Sequence, residues 1–227
     1  MRRTVRHEWK FQISPATAVL LSTRLNIFLK RDAHAGPEGY RIRSLYFDDV
    51  NESAFYDKLA GVNERVKYRL RYYNDNAGVI FFERKRKHDV YIEKDSFRIS
   101  REMAEHMIRD MALPVDMLCN PLMEEFAALR STRLMRPRVI VDYHRLAYVY
   151  PEQNVRITLD SGVRSGLYKT GGFFGSGVSL PVAENDFVIL EVKYDAYLPN
   201  WPKEAISPLC LMPQASSKFC SSVLPMI

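Results

Sequence analysis

RVKYRLRYYNDNAGVIFFERKRK, from Arg65 to Lys87, is the stretch that decides how this chain folds. It spells two strands joined through Asn74-Asp75-Asn76-Ala77-Gly78, residue types that accept turn backbone geometry. Alternation along the first strand puts Lys67, Arg69 and Arg71 on one face, and Val66, Tyr68, Leu70 and Tyr72 on the other. Along the second, Glu83, Lys85 and Lys87 share a face, with Phe82, Arg84 and Arg86 opposite. Five cations and one carboxylate therefore crowd one surface, although like charges directly opposite each other weaken a sheet. Such a surface is either solvated, as charge runs usually are, or concave and built to hold a polyanion.

The same alternation recurs on both sides of the hairpin. Arg6–Gln12 is a strand with Arg6, Glu8 and Lys10 against His7, Trp9 and Phe11. Ser14 followed by Pro15 opens a helix that runs to about Lys30, Ser as N-cap and Pro in the first turn. A loop over His34–Gly39, a strand over Arg41–Phe47 and a short helix over Asn51–Ala60 lead into the hairpin. Beyond it come a strand over Tyr91–Ile99, a helix from Ser100 to Leu113 and another over Leu122–Leu134. Strands return at Arg138–Val149, Val155–Leu159 and Phe187–Tyr194. Residues 161–186 hold six of the ten glycines and little periodicity, which predicts a long loop. A short helical piece after Pro202, a break at Pro213 and a last helix over Ala215–Val223 end the chain. The order predicts an α+β fold with an antiparallel sheet or barrel, built as a single domain over residues 1–227.

Composition narrows the partners. Hydrophobic residues make up 47% and charged ones 26% of the 227 residues, which excludes a disordered chain. The net charge of +6 favours an anionic partner: nucleic acid, a lipid surface or phosphorylated small molecules. No apolar run approaches the ~18 residues of a membrane span, and the basic start MRRTVRHEWKF lacks the apolar stretch of a signal peptide. Cys119, Cys210 and Cys220 are far apart and odd in number, which predicts buried free thiols and a cytoplasmic setting.

Charge inside the strands decides how the elements pack. Glu8 and Lys10, Arg156, Thr158 and Asp160, and Glu191 and Lys193 each share a face, backed by Trp9 and Phe11, Ile157 and Leu159, and Leu190, Val192 and Tyr194. The helices need an apolar surface to pack on, and only the outer face of the sheet supplies it. The economical arrangement is therefore inverted relative to an ordinary barrel: helices cover the outside and the charged faces line a wet channel. Crowded ions need partners or a counter-ligand, and many Lys and Arg with a few Glu and Asp suit phosphates together with a divalent metal.

RHEWK at 6–10, KYRLRYY at 67–73, FFERKRK at 81–87, DYHRLAY at 142–148, VRITLD at 155–160, ILEVKY at 189–194 and SSKFC at 216–220 occur in order along nearly the whole chain. Together they resemble the catalytic domain of the vacuolar transporter chaperone (VTC) family, the polyphosphate polymerases, within the triphosphate tunnel metalloenzymes. The resemblance implies an antiparallel β-barrel of roughly eight strands forming a charged tunnel, with helices packed outside. It also implies a stand-alone, bacterial-type form, since neither the amino-terminal sensor domain nor the carboxy-terminal membrane helices of the eukaryotic proteins have counterparts here. Arg6 stands where the superfamily usually has the first Glu of E-x-E-x-K, which weakens a two-metal hydrolase reading and favours a more basic tunnel.

Carried over residue by residue, the resemblance makes Lys10, Arg69, Arg71 and Lys85 the catalytic phosphate-binding cations, with exposed sheet charge as the bland alternative. Lys67, Lys87, Arg145, Arg156, Lys193 and Lys218 are further phosphate contacts. Lys67 and Lys87 sit where strand ends often reach solvent, and the parity of Arg145 also allows a surface position. Glu191 is the metal-binding carboxylate, with an ion pair to Lys193 or Lys10 compatible with that role, and Glu8 and Glu83 are secondary candidates. Mg²⁺ or Mn²⁺ is the implied cofactor. ATP, inorganic phosphate and polyphosphate are the implied partners, and the family relationship leaves room for a membrane partner protein. Hydrolysis of tripolyphosphate or a nucleoside triphosphate, and a non-catalytic polyphosphate- or nucleic-acid-binding module, are the alternatives. Nucleic acid is disfavoured because Tyr68 and Tyr72 lie opposite Arg69 and Arg71, away from the cations they would need to accompany.

Overall fold

The computed structural model describes residues 7–33, 35–89, 91–109, 113–115, 118, 120–166, 172–175, 179–182, 186–209, 212–214 and 216–224. Arg6, His34, Cys119, Cys210 and Ala215 lie outside them. The elements, in order, are β1 (His7–Ile13), α1 (Pro15–Phe28), β2 (Lys30–Arg31), β3 (Tyr40–Asp48), α2 (Ser53–Leu59), β4 (Arg65–Tyr73), β5 (Asn76–His88) and β6 (Tyr91–Ile99). They continue with α3 (Arg101–Ile108), α4 (Pro121–Arg133), β7 (Arg136–Tyr150), β8 (Val155–Gly166), β9 (Ser179–Pro181), β10 (Val188–Tyr194), α5 (Asn200–Ile206) and α6 (Lys218–Val223).

Eight strands follow one path, β1-β10-β8-β7-β3-β4-β5-β6, with β2 added to β7 and β9 to β8. All pairings are antiparallel. The sheet curls, and among the described residues its two edges, β1 and β6, are not hydrogen-bonded to each other. A side-chain contact reaches across instead: Glu8 of β1 lies 3.3 Å from Lys85 of β5, the strand next to the far edge.

Local chemistry sets the helix starts. The Ser14 side chain accepts from the Thr17 N–H ahead of Pro15, and Ser100 accepts from Met103 N–H. Asn120 accepts from the N–H groups of Leu122 and Met123, with Pro121 in the first turn of α4. The carboxylates of Asp48 and Asp49 receive N–H groups from Ser53, Ala54 and Phe55 and so fix α2 to the end of β3.

The convex face of the sheet is apolar and carries four helices. Leu70 and Phe82 pack with Met107 of α3 and Phe126 of α4. Tyr148, Leu190 and Val192 pack with Leu21 and Leu25 of α1 and Ile206 of α5. The inverted arrangement expected from the strands is thus present. The concave face divides in two. Ile42, Val139, Val141, Val163 and Ile189 form an apolar patch on which Phe219, Cys220 and Val223 of α6 dock, and the charged residues take the remainder. Cys220 is a buried free thiol.

Two sequence expectations change. Residues 161–186 are not one long loop, because β8 continues to Gly166 and pairs with β9. Gly162, with φ +60°, accompanies a register shift against β7 instead of ending the strand, and Val163 beyond it turns inward. The hairpin turn is also shorter than Asn74–Gly78: β5 starts at Asn76, and only Asn74 (φ 51°) and Asp75 (φ 56°) lie outside the strands, both in the left-handed region. Such a two-residue turn matches the twist of the strands it joins. No helix among the described residues is long and apolar enough to cross a membrane.

Candidate functional site

The β4–β5 register builds the centre of the charged half. Arg65 faces Lys87, Lys67 faces Lys85, Arg69 faces Glu83 and Arg71 faces Phe81. Glu83 is buried and answers three cations: Arg69 Nε at 2.6 Å, Lys94 Nζ at 2.5 Å and Arg71 Nη1 at 3.7 Å. Burial alone would raise its carboxyl, but these charges reverse the effect and hold it far below the usual range. Arg69 also donates to the Tyr46 hydroxyl at 3.0 Å, and Arg71 to Ser44 Oγ at 3.0 Å and Tyr143 OH at 3.3 Å.

A second group comes from β1, β10, β8 and β7. Lys10 lies 2.7 Å from Glu8, and Lys193 is paired with Glu191 on the neighbouring strand. Arg145 grips Asp160 with two bonds of 2.6 and 2.7 Å, and Lys218 of α6 reaches the same carboxylate at 2.6 Å. Arg156 pairs with Asp32 and donates to Tyr40 OH. Burial and the neighbouring Glu191 push the Glu8 carboxyl up, and Lys10, Lys85 and Lys193 overcome both to hold it at about 2. Glu191 is likewise buried yet kept well below the usual range by Lys193, Lys10, Arg145 and Lys218.

These walls enclose a cavity of about 650 Å³ whose described lining includes ten Lys and Arg side chains and three carboxylates. Of the residues singled out in the sequence, Lys10, Lys67, Arg69, Arg71, Lys85, Arg145, Arg156, Lys193, Lys218, Glu8 and Glu191 line it. Arg145, whose parity allowed a surface position, faces inward. Glu83 is not among the lining residues and is bonded to Arg69, Arg71 and Lys94. Lys87 lines an adjoining cavity.

The sequence reading missed Lys94 and the tyrosines Tyr40, Tyr46, Tyr73 and Tyr143, all on the lining. Tyr68 and Tyr72 do face away as expected, among the convex core. Three of these tyrosines are held in place: Tyr40, Tyr46 and Tyr143 are buried and each receives a hydrogen bond from an arginine. Tyr46 stands out electrostatically. Burial opposes its ionisation, but Arg69, Arg71 and Lys67 bring the phenol down to about 7.

A divalent cation needs hard oxygen donors, and no group of three or more His, Cys, Asp or Glu among the described residues forms a ready cage. Glu8 and Glu191 nevertheless fit a cation shared with phosphate. Both are ionised, both line the cavity, and Glu191 is close enough to Glu8 to oppose its ionisation. Mg²⁺ is usually held by one or two carboxylates together with substrate phosphates, and this pair matches that requirement.

The family model for the VTC domain matches residues 5–227. The chain belongs to the VTC domain family. In shape, this VTC domain is similar to two crystal structures of proteins named "putative adenylate cyclase". The one from Bacillus halodurans has TM-score 0.58 and 14% identity, covering 96% of each chain. The one from Vibrio parahaemolyticus has TM-score 0.50 and 10% identity, covering 95% of this chain and 96% of that one. At such identities the likeness concerns the fold, which is the triphosphate tunnel fold expected of a VTC domain. No curated protein matches the sequence.

Proposed function

We propose that this VTC domain transfers the γ-phosphoryl group of ATP to inorganic phosphate or to a growing polyphosphate chain, releasing ADP. One observation carries the proposal: ten cations from seven strands and a helix converge on a single cavity and outnumber its three lining carboxylates even when Glu83, Asp160 and Asp32, which pair with some of them, are added. Such a cavity suits a chain of phosphates, and phosphoryl transfer asks a protein mainly for positioning and charge neutralisation. Arg69 and Arg71 offer planar guanidinium groups to phosphate oxygens, and Lys85 on the adjoining strand β5 and Lys10 on β1 add point charges. Lys67, Arg145, Arg156, Lys193 and Lys218 would steer the acceptor. Glu191, with Glu8, would hold Mg²⁺ or Mn²⁺, which when bound neutralises charge on the phosphate oxygens. The buried free thiol of Cys220 suits a reducing, cytoplasmic setting.

Incubation of the purified protein with ATP and Mn²⁺, followed by measurement of polyphosphate, phosphate and ADP, tests the proposal. Polyphosphate with stoichiometric ADP supports it. Phosphate and ADP without polymer make water the acceptor and the protein a triphosphatase. Binding without turnover leaves a polyphosphate-binding module.

A further inference from the structure

On the convex side of the sheet, α1 breaks the pattern of its neighbours. α3, α4 and α5 turn apolar residues to the sheet and polar ones outward: Arg101 and Glu102, then Glu124, Ser131 and Thr132, then Lys203 and Glu204 are exposed. α1 buries Ala18, Leu21 and Leu25, yet its outward side is apolar as well. Helical spacing puts Val19, Leu20, Thr23 and Ile27 on one outward stripe, with Phe28 at its end. Val19, Leu20, Ile27 and Phe28 are 65%, 63%, 70% and 63% exposed. A helix that is apolar all round belongs in a core or against a partner.

Charge and size say what that partner is. From Ser14 to Arg31 the chain carries three cations, Arg24, Lys30 and Arg31, and no carboxylate. Arg24 borders the stripe between Leu20 and Ile27, and Lys30 and Arg31 follow the helix in β2. Arg24 and Lys30 are exposed, with no carboxylate at ion-pair distance among the described residues. Arg31 is steadied by Asn26 Oδ1 at 2.9 Å, which adds no opposing charge. On α5, Lys203 and Glu204 offset each other. An aromatic group continues the apolar face: the Phe28 ring lies 5.4 Å from Trp201 of α5, and Trp201 lies 5.2 Å from Tyr150. Trp and Tyr rings join an apolar body to a polar tip, which suits a boundary between an apolar phase and water. A second copy of this chain fits poorly. α1 is ~21 Å long and ~10 Å across, a footprint on the order of 200 Å² against the ~800 Å² that each partner buries in a standard interface. A two-fold pairing would also gather the cations of both copies with no carboxylate from α1 to answer them.

We infer that the outward face of α1 docks on an anionic lipid surface. Val19, Leu20, Ile27 and Phe28 enter the boundary between headgroups and acyl chains, and Arg24, Lys30 and Arg31 meet the lipid phosphates. Buried apolar area and attraction to anionic headgroups act together in such binding. None of these residues lines the charged chamber. α1 packs on Ile157, Leu190 and Val192, while Arg156, Glu191 and Lys193 of the same two strands line the chamber on the other face. Lipid and phosphate ligand therefore have separate sites, and the inference stands apart from the proposed function.

Co-sedimentation with vesicles of phosphatidylcholine alone, and of phosphatidylcholine with phosphatidylglycerol, tests the inference. It compares the wild type with the Leu20→Gln, Ile27→Gln double variant, with Arg24→Gln, and with Leu180→Gln, an equally exposed apolar residue on β9. The wild type should prefer the anionic vesicles. Its partition onto them should fall at least about tenfold in the double variant, about fivefold in Arg24→Gln, and stay unchanged in Leu180→Gln. Tripolyphosphate binding should be the same in all four proteins. Absence of vesicle binding by the wild type, or equal binding to the two kinds of vesicle, overturns the inference. So does anionic binding that tripolyphosphate displaces and the α1 variants leave intact, since it would belong to the chamber. A dimer in sedimentation equilibrium that the double variant dissolves, with no vesicle binding, would make the face a contact between copies instead. Should the double variant unfold, Ile27→Gln alone carries the comparison.

Discussion

Arg69 and Lys85 face the same cavity, yet their surroundings separate the consequences of removing them. Arg69 gives Glu83 a 2.6 Å bond, and Glu83 is buried. Arg69→Ala should therefore cost about 1–3 kcal/mol in urea unfolding, less than stranding a lone buried ion because Arg71 and Lys94 still answer Glu83. Lys85→Ala leaves Glu8 its 2.7 Å contact with Lys10 and removes a like charge facing Lys67, so stability should stay within about 0.5 kcal/mol or rise. Both variants should lose tripolyphosphate binding; binding that survives in both would make these cations structural. Glu191→Gln keeps shape but removes the charge a divalent cation requires. We expect metal-dependent turnover to disappear across a Mn²⁺ titration while metal-free triphosphate binding holds or tightens. Unchanged turnover would move the metal to Glu8. Tyr46 predicts a pH effect. Its phenol is neutral below about 7 and carries a negative charge above it, where that charge repels phosphate. The ratio of wild-type to Tyr46→Phe affinity for tripolyphosphate should therefore fall as pH rises from 6 to 8, the comparison cancelling titration of the ligand. A ratio flat over that range would deny the phenolate. Lys10, Arg69 and Glu191 were legible because charge alternates with apolar residues on their strands. Tyr46 was not, because β3 reverses the pattern: Arg41 and Arg43 point outward, Arg43 to Asp142, and tyrosines point in.

At the scale of one element, the β4–β5 turn holds the cation row in register. A slip of one residue would carry Lys67, Arg69 and Arg71 to the apolar face. Asn74 and Asp75 both hold positive φ, and Asn74 Oδ1 also accepts from the Arg41 N–H at 3.0 Å. Asn74→Val should cost about 1–3 kcal/mol through backbone strain and the lost acceptor. Asp75→Gly should change stability by less than about 1 kcal/mol, relieved strain offsetting an exposed ion pair with Arg41. Equal losses in chemical denaturation would place the constraint elsewhere. The hairpin could be read from sequence because turn-tolerant residues separate two alternating runs. The β8 extension could not, because Ser161-Gly162 looks like an ending and becomes a bulge only when β7 lies alongside. The docking of α6 was equally hidden. Its apolar side suits either face, and the choice depends on Ile42, Val139 and Ile189, which come from three separate strands.

For the whole molecule, the helices declared the inversion: they need an apolar surface, and the strands have only one that is continuous. Whether the curled sheet closes was not written in the alternation, since closure depends on hydrogen bonds between edges that every strand can make. If the gathered cations act together, melting temperature should rise from phosphate to pyrophosphate to tripolyphosphate, as a ligand of the folded state stabilises it by mass action. Added salt should shrink the shift, with a Debye length of ~10 Å at 0.1 M. Equal shifts for a short RNA and tripolyphosphate would point to a flat basic surface. The unbonded seam between β1 and β6 carries a topological consequence. A closed ring admits a polymer only by threading from an end. A clasp can part along its seam, and here parting would break the Glu8–Lys85 contact but no ladder bond among the described residues. A polymer with both ends blocked would then still be loaded from the side.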